Sequence, residues 1–287
     1  MELKKKFAAS VSIASNAVII LLKLIVGHIS GSISIISEAI HSISDFLASI
    51  LTFFAVNRSC EPADKEHPFG HGKYEDMSGF IEGGLIIFAG FFIIYEASKK
   101  LLLGYSGEIE TILGIYVMSF SVLANFFVSS YLFHIAEKSE SIALRADAEH
   151  LRTDIFSSLG VLLGLVLIKI TGYSILDPII AIIVAIIILK TGFRISKETL
   201  NNLLDGALAD EDIQIIEEIL KNNSVIKGYK NLKGRKSGSS KKIEVTIQFH
   251  PDMKIVCCHN ICDQIENEIK NKLQDVTIVI HSEPCTE

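Results

Sequence analysis

Two histidine–aspartate pairs are the residues of this sequence best suited to chemistry, and the members of each pair are four residues apart. His150 and Asp154 start a segment that turns almost wholly apolar, and His41 and Asp45 lie inside the apolar segment Ile33–Val56. Residues four apart on a helix share one face, so each pair can hold one ion. Brought together, the pairs supply two imidazole nitrogens and two carboxylates. This tetrahedral set suits Zn²⁺, and its imidazoles disfavour Mg²⁺ and Ca²⁺.

The apolar segments around these pairs indicate a membrane protein. Of the 287 residues, 49% are hydrophobic, and they fall in blocks long enough to cross a bilayer. The first block carries no signal-peptide cleavage pattern, so we expect it to be a retained helix. Ionisable side chains at membrane depth are costly and normally face the interior of a bundle on an ion path. Hydropathy predicts about six spanning helices, near residues 8–27, 32–57, 78–102, 110–135, 148–171 and 175–196.

The basic residues predict the orientation of these helices. One side of the topology collects Lys4, Lys5, Lys6, Arg58, Lys65, Lys73, Lys138, Arg145, Arg194 and Lys197. The other side has Lys99, Lys100 and Lys169. The positive-inside rule therefore places both termini in the cytoplasm. All the cysteines then fall on the cytoplasmic side, so we expect reduced thiols and no disulfides.

After residue 205 the composition changes to that of a soluble domain. We therefore expect a membrane domain over residues 1–205 and a cytoplasmic domain over 206–287. The predicted elements of the second domain are a helix over Asp210–Asn222, a hairpin connection over Gly234–Ser240, a strand over Lys242–His250, a helix over His259–Leu273 and a strand over Val276–His281. The order helix, strand, strand, helix, strand predicts a small α+β domain with its helices on one face of a sheet. No nucleotide-binding fingerprint occurs in the sequence.

Histidine gives the predicted membrane site a second property. Its charge changes near neutral pH, and a protonated imidazole cannot bind a metal. Protons and metal then compete for one site. A conformation that faces an acidic compartment would release metal, and one that faces the cytoplasm would take it up, which is the minimum requirement for antiport.

The chain resembles the cation diffusion facilitator family over nearly its whole length. The resemblance is carried by the six helices, the loop Pro62–Lys73, the segment Leu203–Ala207 and the C-terminal domain, which is similar to a ferredoxin-like metallochaperone. It implies an integral membrane homodimer, in a bacterial or archaeal cell membrane, that exchanges a divalent metal for protons. The transport site of the family matches His41, Asp45, His150 and Asp154. Many bacterial members have Asp where this chain has His41. The set of two His–Asp pairs in this chain resembles that of the zinc-selective members.

The resemblance implies further metal sites. Asp64, His67 and His71 match a second zinc site of the family, although a solvated turn would also explain them. In the C-terminal domain, the positions that match metal ligands at the dimer interface are His250, His259, His281 and Glu283. His281, Glu283 and Cys285 also alternate along an extended segment, so they share one face. The implied Zn²⁺ is thus both transported and structural or regulatory.

Other positions complete or alter the family pattern. Lys73 and Asp205 match an ion pair that joins the two protomers at the membrane surface. Lys230 stands where the family has a further histidine, and a charged lysine cannot bind a metal. The additional thiols Cys257, Cys258 and Cys262 are either soft ligands or core cysteines.

Alternative functions remain open at this stage. The chain could export another first-row metal such as Fe²⁺, Co²⁺ or Ni²⁺, or Cd²⁺, because affinity order alone does not select the metal. It could also sense metal without transporting it. An intramembrane zinc hydrolase would want an open water position and typically an H-E-x-x-H motif, which is absent, so we expect no enzymatic activity. The expected partners are the metal ion, protons, lipid and a second copy of the chain, with no nucleic acid.

Overall fold

A computed structural model describes residues 2–30, 33–103, 112–171 and 176–285. The chain divides into two compact units, Met1–Leu200 and Asn201–Glu287. Six long helices form the first unit, with the last residues of the sixth reaching the second: α1 (Glu2–Ser30), α2 (Ile33–Ser59), α3 (Lys73–Leu103), α4 (Ile112–Ser139), α5 (Ile142–Thr171) and α6 (Leu176–Leu203). The predicted bundle of six helices is confirmed. Most of the helices run several residues beyond the predicted spans.

The helices alternate in direction, so that α1, α3 and α5 begin where α2, α4 and α6 end. We call this the inner end of the bundle. There the carboxylate of Glu75, in the first turn of α3, accepts hydrogen bonds from Lys5 in α1, Ser59 in α2 and Ser141 just before α5. Glu75 and Lys5 are both almost completely buried. Because removing one member of a buried ion pair costs about 3–5 kcal/mol, this contact fixes four segments to one another.

The bundle has an apolar exterior and a partly polar interior. Large side chains such as Phe88 and Phe127 are 70% and 68% exposed, whereas Thr52, Glu82 and Asp147 are fully buried. In water so much exposed apolar surface would be unfavourable, but it is the expected surface of helices in lipid. The unit therefore has the polarity of a membrane bundle.

Three segments among the described residues are long and apolar enough to cross a membrane. They are Glu2–Val26, Lys73–Lys99 and Ser119–Ser139. The shorter segment Phe46–Ser59 is an apolar helix as well. The first half of α5 departs from this composition, since it carries several charged residues, among them Asp147, Glu149 and Asp154.

Small residues allow the helices to approach closely. Ala8, Ala136, Ala143 and Ala148, from α1, α4 and α5, are buried together in one cluster. Between α3 and α6 the contact is closer still, because a β-carbon at Gly83 would lie 2.4 Å from Ser196 Oγ and 3.3 Å from the carbonyl oxygen of Gly192. Small residues at helix contacts are the usual means by which membrane helices gain packing energy.

The second unit is a three-stranded sheet with two helices. Its elements are α7 (Asp210–Asn222), β1 (Gly228–Ser237), β2 (Ser240–Phe249), α8 (Ile255–Lys272) and β3 (Val276–Pro284). The central strand β2 pairs antiparallel with β1 and parallel with β3. The predicted order of elements is confirmed, and α7 has the predicted bounds. The predicted hairpin connection Gly234–Ser240 is wrong in extent, since β1 continues to Ser237 and only Gly238 and Ser239 form the turn. Gly238 has a φ of +60°, which favours glycine.

One apolar face of the sheet holds this unit together. Alternate residues of β2 are buried from Ile243 to Phe249, as expected for a strand with one covered face. They lie in one cluster with Ile216 of α7 and with Ile265 and Ile269 of α8. Both helices therefore cover the same face, which confirms the predicted α+β arrangement.

The contact between α3 and α6 is testable with two adjacent glycines. We expect Gly83→Ala to lower the thermal unfolding midpoint of the full-length protein, because overpacking a tight contact typically costs about 1–3 kcal/mol. Gly84→Ala is the matched control: a β-carbon there meets nothing within 4 Å. The control gains helix propensity worth up to about 1 kcal/mol and should not lower the midpoint. Equal midpoints for the two variants would contradict the close approach of the helices.

Candidate metal sites

The loop between α2 and α3 folds two histidines around one aspartate. Asp64 Oδ1 accepts the backbone N–H groups of Glu66 at 2.9 Å and His67 at 2.6 Å, which closes a tight turn. Gly70, with a φ of +85°, donates its N–H to the carbonyl oxygen of His67 at 3.0 Å. This left-handed conformation reverses the chain and brings His71 back to Asp64.

The ligand atoms of the loop are spaced as a metal ion requires. His67 Nδ1 lies 3.4 Å from Asp64 Oδ1, and His71 Nε2 lies 3.3 Å from Asp64 Oδ2. Two ligands bound to Zn²⁺ at about 2.0–2.1 Å in a tetrahedron are about 3.3–3.4 Å apart. One ligand atom from each of the three residues lies within 4.8 Å of the others. The donor set therefore fits Zn²⁺ and leaves a fourth position for water or another ligand.

The loop also stabilises the charge that such an ion needs. The N–H of His67 holds the pKa of Asp64 below its usual range, with smaller contributions from the N–H of Glu66 and from the two imidazoles. Because of its lowered pKa, the carboxylate stays charged at a pH where an ordinary aspartate begins to accept a proton.

In the bundle, His150 and Asp154 lie one turn apart on α5. His150 is only 6% exposed and Asp154 is partly buried. Helix α2, which contains His41 and Asp45, packs against α5. The side chains of His41 and Asp45 lie outside the described residues. The structure thus brings together the two helices that carry the pairs, and the four-ligand set stays a prediction.

The structure adds acidic residues that sequence reasoning did not assign to a site. Asp147 is fully buried and lies three residues before His150, hence on the same face of α5. Glu82 of α3, which had no assigned role, is fully buried and accepts a hydrogen bond from Thr52 of α2. The three-residue spacing of Asp147 and His150 could have identified Asp147 from the sequence as a neighbour of the predicted site. No sequence signal pointed to Glu75, whose partner Lys5 is 70 residues away.

The predicted ligands of the second unit are dispersed within one chain. The side chains of His250 and His259 are 56% and 73% exposed, and each lies near an aspartate of its own segment. Among the described residues, only the loop set brings ligand atoms of three His, Cys, Asp or Glu residues within 4.8 Å of one another. Metal binding by His250, His259, His281 and Glu283 stays a prediction.

Lys230 makes the Glu283 position unlike an ordinary metal ligand. Its Nζ lies 2.5 Å from Glu283 Oε1, and Gln248 Nε2 donates to the same oxygen at 3.0 Å. The hydrogen bond from Lys230 is the main reason that the pKa of Glu283 is lowered. A metal ion at Glu283 would have to bind through Oε2 or compete with this lysine for Oε1.

Two cysteines of the second unit lie in apolar surroundings. Cys258 and Cys262 are buried in the apolar core of the second unit, and burial raises the pKa of Cys262. Both features favour core thiols over metal ligands.

Lys73 starts α3 and belongs to the first unit, whereas Asp205 belongs to the second, where Arg235 donates to it at 2.6 Å. The pairing of Lys73 with Asp205 stays a prediction.

Comparisons with known proteins agree with this arrangement. Residues 9–204 match the cation efflux transmembrane domain, and residues 208–285 match the cytoplasmic domain of cation efflux proteins. An uncharacterized transporter of Synechocystis is 33% identical over 267 residues, which cover 93% of this chain and 86% of that protein. The cation-efflux pump FieF of Serratia proteamaculans is 27% identical over 283 residues, covering 98% and 93%. The FieF pump of Shigella boydii serotype 18 is 28% identical over 279 residues, covering 97% and 92%.

The loop set is testable by metal stoichiometry. We expect Asp64→Ala in the full-length protein to bind about one Zn²⁺ fewer per chain in equilibrium dialysis, since it removes the central ligand of a three-ligand set. Glu66→Ala is the matched control, because this neighbouring acid is exposed and contributes only its backbone N–H to the turn. If the two variants bind the same amount of Zn²⁺, the loop is a solvated turn and not a metal site.

Proposed function

The chain belongs to the cation diffusion facilitator family, and we propose that it exports a divalent metal cation, Zn²⁺ in the first instance, in exchange for protons. The observation that carries this proposal is the placement of His150. Its imidazole is nearly buried in a bundle with an apolar exterior, one helical turn before Asp154. Ionisable groups in such positions normally belong to an ion path.

The transport site would consist of His41, Asp45, His150 and Asp154. Two carboxylates cancel the double charge of the ion inside a bundle of low dielectric constant, where an uncompensated charge is costly. Two imidazoles favour Zn²⁺ over ions that prefer oxygen alone. The same imidazoles bind protons near neutral pH, so that protonation and metal binding exclude each other.

The inner end of the bundle would face the cytoplasm. The clustering of basic residues toward that end supports this orientation. Both termini and the second unit are then cytoplasmic, and the loop set Asp64, His67 and His71 lies where the metal enters. Alternating access at the His–Asp site would carry the ion outward and the protons inward.

The functional protein would be a homodimer that includes the second unit. The match to the cytoplasmic domain of cation efflux proteins supports this assembly. Lys73 and Asp205 would join the protomers near the membrane surface. His250, His259, His281 and Glu283 would bind regulatory metal between them, with Lys230 as a competitor for Glu283.

Transport is testable in inside-out proteoliposomes with an acidic lumen. We expect Zn²⁺ uptake by the native chain that requires the pH gradient. In Asp154→Asn the uptake should fall by about 100-fold or more, since leaving a buried charge without its partner costs about 3–5 kcal/mol. Glu137→Gln, an exposed acid on α4, is the matched control and should transport normally. Bound metal without gradient-driven flux in the native chain would instead favour a metal sensor.

The choice of metal is testable at His41. Replacing an imidazole by a carboxylate makes the set richer in oxygen, as in the relatives that have Asp at this position. We expect His41→Asp to lower the preference for Zn²⁺ over Cd²⁺ by about tenfold, equivalent to about 1.4 kcal/mol. The ratio of the two uptake rates in the same vesicles measures this change. An unchanged ratio would assign the preference to another part of the protein.

A further inference from the structure

Glu82 has the features of a cation ligand. It is fully buried in α3, and its Oε1 accepts the hydroxyl hydrogen of Thr52 in α2. Its Oε2 is also buried and has no hydrogen-bond partner among the described residues. Burying a carboxylate oxygen without a hydrogen-bond donor costs free energy, so binding a cation or a proton at this oxygen would be favourable.

The packing of α3 on α5 sets the height of Glu82. A β-carbon at Gly79 would lie 3.7 Å from Ala146 Cβ and 3.6 Å from the carbonyl oxygen of Ile142. Both helices begin at the inner end, so one turn further along α3 Glu82 reaches the level of Asp147. Asp147 is the charged group with the largest electrostatic effect on Glu82, and His150 has a smaller one.

Two fully buried carboxylates near each other need positive charge. Three basic side chains toward this end pair with other acids: Lys5 with Glu75, Arg145 with Glu198 and Arg194 with Glu149. A divalent cation would neutralise both carboxylates, and the oxygen donors available are those of Glu82, Asp147 and the Thr52 hydroxyl. This set is richer in oxygen than the His–Asp set.

The position of the two carboxylates places them on the path to the His–Asp set. Asp147 precedes His150 by three residues and Asp154 by seven. At a rise of 1.5 Å per residue, it lies about 4.5 Å and about 10 Å nearer the inner end than these two ligands. A cation that enters from the inner end meets Glu82 and Asp147 first.

We propose that Glu82 and Asp147 form a second cation-binding station, which holds the divalent metal on the inner side of the His–Asp set before it reaches His150 and Asp154. The direction of passage rests on the proposed export function, whereas the existence of the site does not. Weak binding by oxygen ligands suits such a station, because an ion must leave it to reach the nitrogen ligands beyond.

The test measures Zn²⁺ bound per chain by equilibrium dialysis of the full-length protein in lipid nanodiscs. Glu82→Gln and Asp154→Ala should each bind one Zn²⁺ fewer than the native chain, and the double variant two fewer. Asp147→Asn should repeat the loss seen in Glu82→Gln. Glu96→Gln, an acid four turns further along α3, is the matched control and should bind as the native chain does.

Two results would overturn the station. If Glu82→Gln binds as much Zn²⁺ as the native chain, the two carboxyl groups share a proton and not a metal. If the double variant binds no less than Asp154→Ala alone, Glu82 belongs to the same site as Asp154. Should Glu82→Gln fail to fold, judged by size-exclusion profile, Asp147→Asn with and without Asp154→Ala gives the same comparison. A native chain without gradient-driven flux would overturn export alone, since the loss of Zn²⁺ in Glu82→Gln would still report the station.

Discussion

Buried charge must be matched inside a bundle that lipid surrounds, and the inner half of this membrane domain is arranged to satisfy that condition. A single unpaired ion in such an interior costs several kcal/mol. Glu75 satisfies it with Lys5 and two serine hydroxyls, which also ties four segments together at the inner end. Deeper in the bundle, Glu82 has the Thr52 hydroxyl and the His150 imidazole as neighbours, and Asp147 lies three residues before His150. Their charge is of the sign that a metal or a proton can neutralise.

Close packing of the helices determines which polar groups meet. Gly79 lets α3 approach α5 at Ala146, and Gly83 lets α3 approach α6 at Ser196. Larger residues at these positions would separate the helices and move Glu82 away from Asp147. The glycines of α3 therefore act on the chemistry of the bundle although none of them contributes a ligand. Membrane helices, which gain little from hydrophobic burial against one another, depend on such contacts for a defined geometry.

Local signals in the sequence account for the parts of the structure that were predicted well. Apolar blocks predicted six helices, and acidic residues before a periodic run of isoleucines predicted α7 from Asp210 to Asn222. The ends of β1 were harder, because its polar, lysine-rich sequence does not alternate and the strand continues to Ser237 through residues typical of a turn. The family resemblance implied that Asp64, His67 and His71 form a site, but the turn that joins them depends on backbone N–H groups and on the left-handed Gly70. Contacts such as Lys5 with Glu75 join distant segments, and no local pattern reveals them.

The three groups of candidate ligands differ in what neutralises their carboxylates when no metal is bound. In the loop, backbone N–H groups stabilise the charge of Asp64 without occupying its other oxygen, so the carboxylate stays available. In the second unit, Lys230 gives Glu283 a permanent counter-charge with which a metal must compete. In the bundle, the proposed His–Asp set contains imidazoles, which are side chains whose charge changes near neutral pH. Of the three groups, the bundle set therefore best fits the exchange of metal for protons that we propose.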